Sequence, residues 1–389
     1  MINNVYTGDC LDVLKKIKDE SIDLVYLDPP FYTQRIHKQK TRDNQKEFSF
    51  GDTWHSRKDY CNYISCRLKE CHRILKKTGS IFLHCDTNAA HVLRLVIEEI
   101  FGEDNFRSEI IWSYRRWSNS KKGLLDGHQN IFFFSKSLDF KFNVLFQDYS
   151  PSTNIDQIVQ KRVRNEHGKS SYQRKSDGTV ELIDEKKGVP LSDVWDIPYL
   201  NPKAKERVGY PTQKPVILLE RIITLVTDQG DIVLDPFCGS GTTLVASKIL
   251  NRKYIGIDIE QEAVNLANSR LLNPIKSESI LLNKGRDSYL NQNPIISEML
   301  KSLGAVVVQR NKGIDGLLKS DNGLIPIRIL RDGECEKSVI ETMEKAISKN
   351  GYAKAFLLNS EAETPTRIDG KVIVSSGTEH ISSNVTDLS

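Results

Sequence analysis

Short apolar runs alternate with amphipathic stretches along most of the chain. Residues 3–27 predict strand, helix and strand, because Leu11, Leu14 and Ile17 recur at helical spacing between two apolar runs. Further along, the pattern predicts helices over 59–76 and 88–100 and strands over 80–85, 106–114 and 130–135. Residues 216–275 add helix, strand, glycine-rich turn, helix, strand and helix. This alternation predicts an α/β fold with a doubly wound sheet.

Two polar stretches interrupt the alternation. Residues 32–58 show no period and carry mixed charge, so we expect a solvated loop there. Residues 139–200 lose the sheet signals and gather basic residues among Ser, Asn and Gln. Residues 290–389 have helix and strand signals of their own and predict a separate small α/β domain. We therefore expect four segments, which are residues 1–138, 139–200, 201–275 and 290–389.

The first predicted strand that carries chemistry ends in Asp28-Pro29-Pro30-Phe31. Prolines lack an N–H and fix φ, so the chain must leave the sheet at Asp28. In open α/β sheets, ligands bind at the carboxyl ends of strands. The Asp28 carboxylate and the Pro29 carbonyl can accept two N–H bonds while the Phe31 ring stacks on a flat molecule. Taken alone, the motif also fits a proline turn that only ends a strand.

A second strand end carries a glycine-rich turn. The strand that ends at Asp235 runs into Pro236 to Thr243 and then into a helix. Glycines let a ligand approach the backbone, and a helix N-terminus offers free N–H donors. The next strand ends at Asp258, 23 positions after Asp235, which suits an acid that holds a ribose. The third glycine of the dinucleotide fingerprint is missing, so a pyrophosphate ligand is disfavoured; an ordinary strand–helix–strand unit is the alternative.

Together these motifs resemble those of the amino-group DNA methyltransferases. Asp28-Pro29-Pro30-Phe31 resembles their catalytic motif, and the run from Asp235 to Thr242 resembles their S-adenosylmethionine motif. The run from Tyr210 to Pro215, Tyr-Pro-Thr-Gln-Lys-Pro, resembles the motif that completes their cofactor pocket. The catalytic motif comes first, an order similar to the permuted beta group of adenine-N6 and cytosine-N4 enzymes. The resemblance covers residues 1–275.

The resemblance implies a Rossmann-like methyltransferase sheet with permuted motif order and a reaction that methylates an exocyclic amino group of DNA. Adenine N6 is the implied target, with cytosine N4 as the alternative and an RNA or protein substrate as a further one. The implied catalytic residues are Asp28, Pro29, Pro30 and Phe31. The implied S-adenosylmethionine-binding residues are Asp9, Cys10, Thr212, Lys214, Asp235, Phe237, Gly239, Gly241, Thr242 and Asp258.

The resemblance also implies individual roles within that cofactor set. Asp9 would contact the adenine amino group of the cofactor, and Asp258 would hold its ribose. Lys214 and Thr242 would lie near its amino-acid end. Asp9 has a second interpretation, as the cap of the helix that starts at Leu11, because Asp is a preferred N-cap residue.

Basic residues beside these motifs are candidates for DNA contacts. They are Arg35 and Lys38 after the catalytic motif, Arg115 and Arg116 within a basic and aromatic cluster, and Lys161, Arg162 and Arg164 in the 139–200 segment. That segment lies where the resembled family keeps its target-recognition region. Solvated surface is the alternative for the basic runs, and a core position is the alternative for Trp112 and Trp117. We interpret His84 and His128 as structural, since a lone His at a strand end usually is.

Composition sets the remaining limits. The net charge of +4 favours nucleic acid only slightly. The seven cysteines are scattered without a CxxC pair, which indicates reduced thiols in a cytoplasmic setting and disfavours disulfides and zinc. We expect no signal peptide, because the N-terminus lacks a basic segment followed by an apolar core. We expect no membrane partner, because no apolar run reaches the length of a span. The expected partner is double-stranded DNA, while a homodimer and a cognate restriction enzyme are left open.

The C-terminal segment resembles a restriction-endonuclease-like fold, in which an Asp after one strand meets acid-x-Lys on the next. Asp315 matches the first half of that motif, but Pro326-Ile327-Arg328 stands in place of acid-x-Lys. Without a second carboxylate, a metal site for hydrolysis is hard to build. We therefore expect no metal site, and either a non-cleaving relic or an accessory DNA-binding or dimer module in place of a nuclease.

Overall fold

The chain divides into two units, Met1–Leu282 and Asn283–Ser389, in a computed structural model. The structure describes residues 1–40, 47–114, 123–147, 161–164, 166, 168–181, 188–201, 203–278, 294–308, 313–320, 323–359 and 366–376. Each unit has its own sheet and its own hydrophobic core, so each is described by itself below.

The first unit is an α/β structure. Its strands are β1 (Asn4–Thr7), β2 (Ile22–Leu27), β3 (Arg35–Lys40), β4 (Glu47–Asp52), β5 (Leu75–Cys85), β6 (Phe106–Ser113), β7 (His128–Ser135), β8 (Phe146–Gln147), β9 (Arg162–Arg164), β10 (Ser170–Tyr172), β11 (Val189–Pro190), β12 (Val194–Asp196), β13 (Ile232–Asp235) and β14 (Lys253–Asp258). Its helices are α1 (Cys10–Leu14), α2 (Arg57–Ile74), α3 (Ala90–Phe101), α4 (Val216–Val226), α5 (Thr242–Ile249) and α6 (Gln261–Leu272). Among the helices of the described residues, none has the length and apolar character needed to cross a membrane.

One large sheet organises this unit, with eight strands among the described residues in the order β1-β14-β13-β2-β5-β7-β6-β12. The strands from β1 to β5 in that order are parallel, and β7 is antiparallel to both of its neighbours. β13 lies directly beside β2, with Val233 opposite Leu24 and Leu234 opposite Val25. The two strands that carry the sequence motifs are therefore neighbours, and both end at the same edge of the sheet.

Helices cover both faces of the sheet. Leu24 and Tyr26 pack into a core with residues of α4 and α5, while Val25 and Leu27 pack into a second core with residues of α2 and α3. Successive side chains of a strand point to opposite faces, so a strand buried on both sides is apolar throughout. This arrangement confirms the predicted doubly wound α/β fold.

The prediction of a loop over residues 32–58 is wrong in part, because β3 and β4 form an antiparallel hairpin there. Phe48, Phe50 and Asp52 alternate along β4, and the outer two are buried. Such alternation is a signal for a half-buried strand. The charged residues of β3 on the other arm obscured it in the sequence.

The 139–200 segment also contains strands that the sequence did not predict. β8 pairs with β11, β9 pairs with β10, and β12 joins the edge of the large sheet beside β6. Trp195 of β12 lies opposite Trp112, which is fully buried and donates its indole N–H to the Ile197 carbonyl at 2.7 Å. Trp112 is thus a core residue, while Arg115, Arg116 and Trp117 lie outside the described residues.

The second unit is a smaller α/β structure, as predicted. Its elements are α7 (Pro294–Ser302), β15 (Val306–Val307), β16 (Gly316–Ser320), β17 (Gly323–Ile329), α8 (Glu336–Asn350), β18 (Ala355–Leu358), β19 (Thr366–Asp369) and β20 (Val372–Ser375). Within its described residues the strand order is β15-β16-β17-β18-β20-β19, with the three strands β17, β18 and β20 parallel. Separate apolar clusters involving α7 and α8 include residues of this sheet.

Candidate active site

Four carboxylates gather at the carboxyl edge of the large sheet. Asp9 follows β1 and Asp28 follows β2, while Asp235 and Asp258 are the last residues of β13 and β14. The four strands are parallel neighbours, so their carboxyl ends lie together. All four side chains line one cavity of about 390 Å³. The structure thus brings the predicted catalytic and cofactor motifs into a single site.

Asp28 is half-buried, and its two carboxylate oxygens differ. Oδ2 accepts a hydrogen bond from Lys214 Nζ, while Oδ1 is buried and has no hydrogen-bond partner among the described residues. Burial raises the pKa of Asp28, and the charge of Lys214 opposes that rise. An unsatisfied buried acceptor is costly and needs an explanation. A ligand N–H at this oxygen would provide one.

The turn that follows Asp28 is held by Asp52, which sequence reasoning missed. The Asp52 carboxylate accepts the backbone N–H groups of Phe31, Tyr32 and Thr33 at 3.1, 3.0 and 2.7 Å. It also accepts the Thr33 hydroxyl and the indole N–H of Trp54. Tyr32 has a φ of 61°, a conformation that bulky residues rarely adopt without support. Asp52 therefore fixes the strained backbone that places the Phe31 ring.

Asp258 connects the end of β14 to the glycine turn. Its carboxylate accepts the N–H groups of Gly239 and Glu260 at 2.7 and 3.0 Å. A Cβ at Gly239 would lie 3.0 Å from the Tyr210 ring, and a Cβ at Gly241 would lie 2.6 Å from Cβ of Ala267. The two glycines have φ of 49° and 75°. Close packing and left-handed backbone therefore require glycine here, in addition to any ligand.

Two buried arginines hold the turns around Asp9 and Ser240, and the sequence analysis did not identify them. Arg67 forms an ion pair with Asp9, with Nη2 at 2.6 Å from Oδ1, and lies over the Tyr63 ring. Arg270 donates to the carbonyl and hydroxyl of Ser240 and to the Thr242 hydroxyl. Both arginines come from helices distant in sequence from the turns that they hold, so no local sequence pattern marks them.

Two of the cofactor candidates, Asp9 and Asp235, have clear structural partners. Asp9 accepts the Leu11 N–H at 2.8 Å, which confirms its interpretation as a helix cap. Asp235 accepts the Phe237 N–H at 3.0 Å, and burial raises the pKa of Asp235 to about 7. The lining of the 390 Å³ cavity also includes Cys10, Phe237, Thr212 and Thr242. Their roles toward a cofactor stay predictions.

A second cavity of about 400 Å³ adjoins the first. Phe31, Thr33, His37, Thr212 and Lys214 line both cavities. The second cavity is further lined by Arg35, Asp86, Thr87, Asn88, Tyr114, Asp126, His128, Gln129 and Tyr199. It combines aromatic rings with polar groups, as a pocket for a planar polar molecule does.

His84 packs behind Asp28 and is structural in its contacts. Its Nδ1 lies 2.7 Å from the Tyr26 hydroxyl, and its Nε2 lies 2.9 Å from Gln129 Oε1. Full burial lowers the pKa of His84 well below its usual value, so the ring is neutral. Nδ1 is 3.9 Å from Oδ1 of Asp28, which is beyond hydrogen-bonding distance.

The structure separates the candidate DNA contacts into two places. Arg35 on β3 lines the second cavity, and Lys38 on the same strand faces Glu47 at 3.8 Å. Lys161, Arg162 and Arg164 lie on or beside the β9–β10 hairpin and line neither cavity. Arg162 lies over the Tyr172 ring at 5.0 Å. Arg115 and Arg116 are outside the described residues.

In the second unit, the predicted site residue Asp315 is paired with arginines. Asp315 is buried, and its two oxygens accept from Arg328 at 2.7 Å and Arg331 at 3.0 Å. Arg328 also contacts Glu334 at 2.7 Å. No group of three or more His, Cys, Asp or Glu residues within the described ranges of either unit could hold a metal ion.

Comparison with known proteins finds a matching family and several similar proteins. The pattern of the DNA methylase family N6_N4_Mtase matches residues 22–269. The chain is 32% identical to the Type II methyltransferase M.BglII of Bacillus subtilis, over 68% of each protein. It is 33% identical to the DNA adenine methyltransferase YhdJ of Escherichia coli, over 68% of this chain and 81% of that one. A solved structure of the cytosine-N4-specific PvuII DNA methyltransferase is 20% identical with a TM-score of 0.47, covering 70% of this chain and 87% of that one.

The Asp52 anchor can be tested by replacing Asp52 with Asn. We expect the first unit to lose about 1.5–3 kcal/mol of unfolding free energy, because a buried acceptor of several N–H groups loses its charge. All four tryptophans lie in the first unit, so urea unfolding followed by tryptophan fluorescence reports on that unit. Asp177→Asn is the matched control, since Asp177 accepts from Thr179 on an exposed turn. Equal stability of the two variants would contradict the anchoring role.

Proposed function

Because the chain belongs to the DNA methylase family of adenine-N6 and cytosine-N4 methyltransferases, we propose that it transfers a methyl group from S-adenosylmethionine to adenine N6 in double-stranded DNA. The observation that carries this proposal is the buried Asp28 oxygen, which has no partner among the described residues and belongs to a side chain that lines the 390 Å³ cavity together with Phe31. A planar base with an exocyclic amine satisfies both features at once.

The 390 Å³ cavity fits the cofactor by the chemistry of its lining. Asp9 and Asp258 offer carboxylate acceptors for amino and hydroxyl groups, and Phe237 and Tyr210 add aromatic faces for a purine. The glycine turn at Gly239 leaves the backbone open to close approach. When bound, the cofactor supplies a methyl group that its sulfonium makes electrophilic. The residues that hold it serve to fix its position relative to Asp28.

The catalytic motif then prepares the amine. An exocyclic amine is a poor nucleophile, because its lone pair is delocalised into the ring. Asp28 Oδ1 and the Pro29 carbonyl would each accept one of its hydrogens, which favours a pyramidal nitrogen and directs the lone pair. Phe31 would stack on the ring and hold it in place. Positioning of this kind accounts for large rate accelerations without a covalent enzyme intermediate.

The second cavity is proposed to hold the flipped base. An amine inside a duplex is paired and out of reach, so the nucleotide must leave the stack. Tyr114 and Tyr199 provide aromatic walls, and Gln129 and Asn88 provide polar groups for the base edge. This cavity shares Phe31 with the cofactor cavity, so a base there would lie against the catalytic motif.

Two features support adenine over cytosine. The motif has Asp in its first position, which resembles the adenine enzymes, and the E. coli relative at 33% identity is named a DNA adenine methyltransferase. The paired acceptors of Asp28 and Pro29 suit the exocyclic amine of either base, so cytosine N4 is the second candidate. Neither the first-position Asp nor the pair of acceptors suits an RNA or a protein substrate better than DNA.

The direct test is methyl transfer by the pure chain with labelled S-adenosylmethionine. We expect N6-methyladenine in hydrolysed duplex DNA, no label in RNA or protein, and no transfer by Asp28→Asn. Calorimetry should still detect cofactor binding by Asp28→Asn, because Asp28 serves the base. N4-methylcytosine as the product would replace the adenine assignment, and turnover by Asp28→Asn near the wild-type rate would contradict the mechanism.

The β9–β10 hairpin is proposed as a phosphate-binding surface, because Arg162 and Arg164 are exposed on it. Changing Lys161, Arg162 and Arg164 to Gln should weaken duplex binding and lower the log–log salt slope by about 0.9 for each phosphate that is no longer neutralised. Exposed Lys15, Lys16 and Lys18, which follow α1, form the matched control. An unchanged salt slope would leave the hairpin as solvated surface.

For the second unit we propose an accessory DNA-binding or pairing role without cleavage. Both oxygens of Asp315 accept from arginines, whose positive charges compete with a metal ion for the carboxylate. Unmethylated plasmid with magnesium should therefore stay intact over the range of protein concentration that methylates it. Specific cutting that disappears in Asp315→Ala would overturn this proposal.

A further inference from the structure

Lys214 is held rigidly by the chain on both sides of it. Gln213 accepts the Val208 N–H at 3.0 Å and donates to the Glu206 carbonyl at 2.8 Å. The Glu206 carboxylate accepts the N–H of Val216, at the start of α4, at 2.7 Å. The Lys214 side chain is only 6% exposed. Its position is therefore set by the fold.

The lysine contacts the catalytic motif directly. Its Nζ donates to Oδ2 of Asp28 and lies 5.4 Å from the centroid of the Phe31 ring. Lys214 also lines both cavities, as Phe31 does. The sequence resemblance places Lys214 at the amino-acid end of the cofactor, but its observed partners belong to the motif that faces the base.

The surroundings of Asp28 offer little other compensation for its charge. The described titratable groups that face it, apart from Lys214, are Tyr26, His84, Cys85, Tyr210 and Asp235. The tyrosines and the thiol are neutral near pH 7, the His84 ring is neutral because burial lowers its pKa, and Asp235 is an acid. Among these residues Lys214 alone supplies positive charge.

We propose that Lys214 is the counter-ion that keeps Asp28 ionised and, by occupying one carboxylate oxygen, leaves the other free for the amine of the target base. Lys214 is then a positioning residue for the base and acts through Asp28. A protonated Asp28 would have an O–H to donate where the amine needs an acceptor. This inference rests on the proposed function and adds a role for a residue outside the catalytic motif.

The pH profile of methyl transfer distinguishes this role from a merely structural one. Transfer requires ionised Asp28, so activity rises with pH through the pKa of Asp28. Removing an opposite charge at this distance raises a carboxyl pKa by about 1–3 units, so the acid limb of Lys214→Met should move up by that amount. Lys214→Arg keeps the charge and should restore the wild-type limb.

Two controls accompany this profile. Lys136→Met removes another lysine of low exposure, which donates to the Leu75 carbonyl away from both cavities, and it should leave the limb in place. Cofactor affinity measured by calorimetry should change less than about tenfold in Lys214→Met. A limb that does not move, or a larger loss of cofactor affinity, would overturn the proposal and return Lys214 to the cofactor.

A second readout does not depend on activity. A buried carboxyl group without its counter-ion has a higher pKa in the folded protein than in the unfolded chain. Such a group stabilises the fold while it is protonated, and this stabilisation is lost as pH rises through the folded pKa. The destabilisation of Lys214→Met should therefore grow as pH rises from the ordinary carboxyl pKa through the raised pKa of Asp28, and this growth should vanish when Asp28 is Asn. If Lys214→Met lowered the free energy of unfolding equally with Asp28 and with Asn at position 28, and independently of pH, the proposal would be overturned. This cycle tests the ion pair even if DNA proves not to be methylated.

Discussion

The parallel ladder between β2 and β13 is the constraint on which the site depends. It pairs Leu24 with Val233 and Val25 with Leu234, and so joins two stretches from opposite ends of the first unit's sequence. Without it, Asp28 and Asp235 would end separate strands and the two motifs would not share a cavity. The ladder also buries both acids near each other, and the charge of Asp28 adds to the burial that raises the pKa of Asp235 to about 7. The order of the motifs along the chain is irrelevant to this arrangement, because only the order of strands in the sheet matters.

Prediction from sequence succeeded where a periodic signal and a strand end coincide. Asp28, Asp235 and Asp258 follow apolar runs, so their common edge could be inferred from the sequence. The residues that hold these turns in place could not be inferred from the sequence. Asp52 and Arg270 act on turns that are distant in the sequence, and their own surroundings have no feature that marks such a partner. Strand β12 was missed for a related reason, since its three residues are too few for a periodic signal and its partner β6 is distant in the sequence.

The two units treat the same kind of acid in opposite ways. In the first, Lys214 takes one oxygen of Asp28 and leaves the other without a partner within the described residues. In the second, Arg328 and Arg331 take both oxygens of Asp315. A compact ammonium makes one short contact, whereas planar guanidinium groups can cover a carboxylate completely. For Asp28 and Asp315, the neighbouring cations thus decide whether one carboxylate oxygen is left without a protein partner.

The carboxylate of Asp52 connects the β3–β4 hairpin to the turn that carries Phe31. The hairpin ends at Asp52, whose carboxylate accepts the backbone N–H groups of residues 31–33. Exchanging or shortening this hairpin to alter surface contacts would therefore also shift the stacking face, which a graft designed on the surface alone would not anticipate.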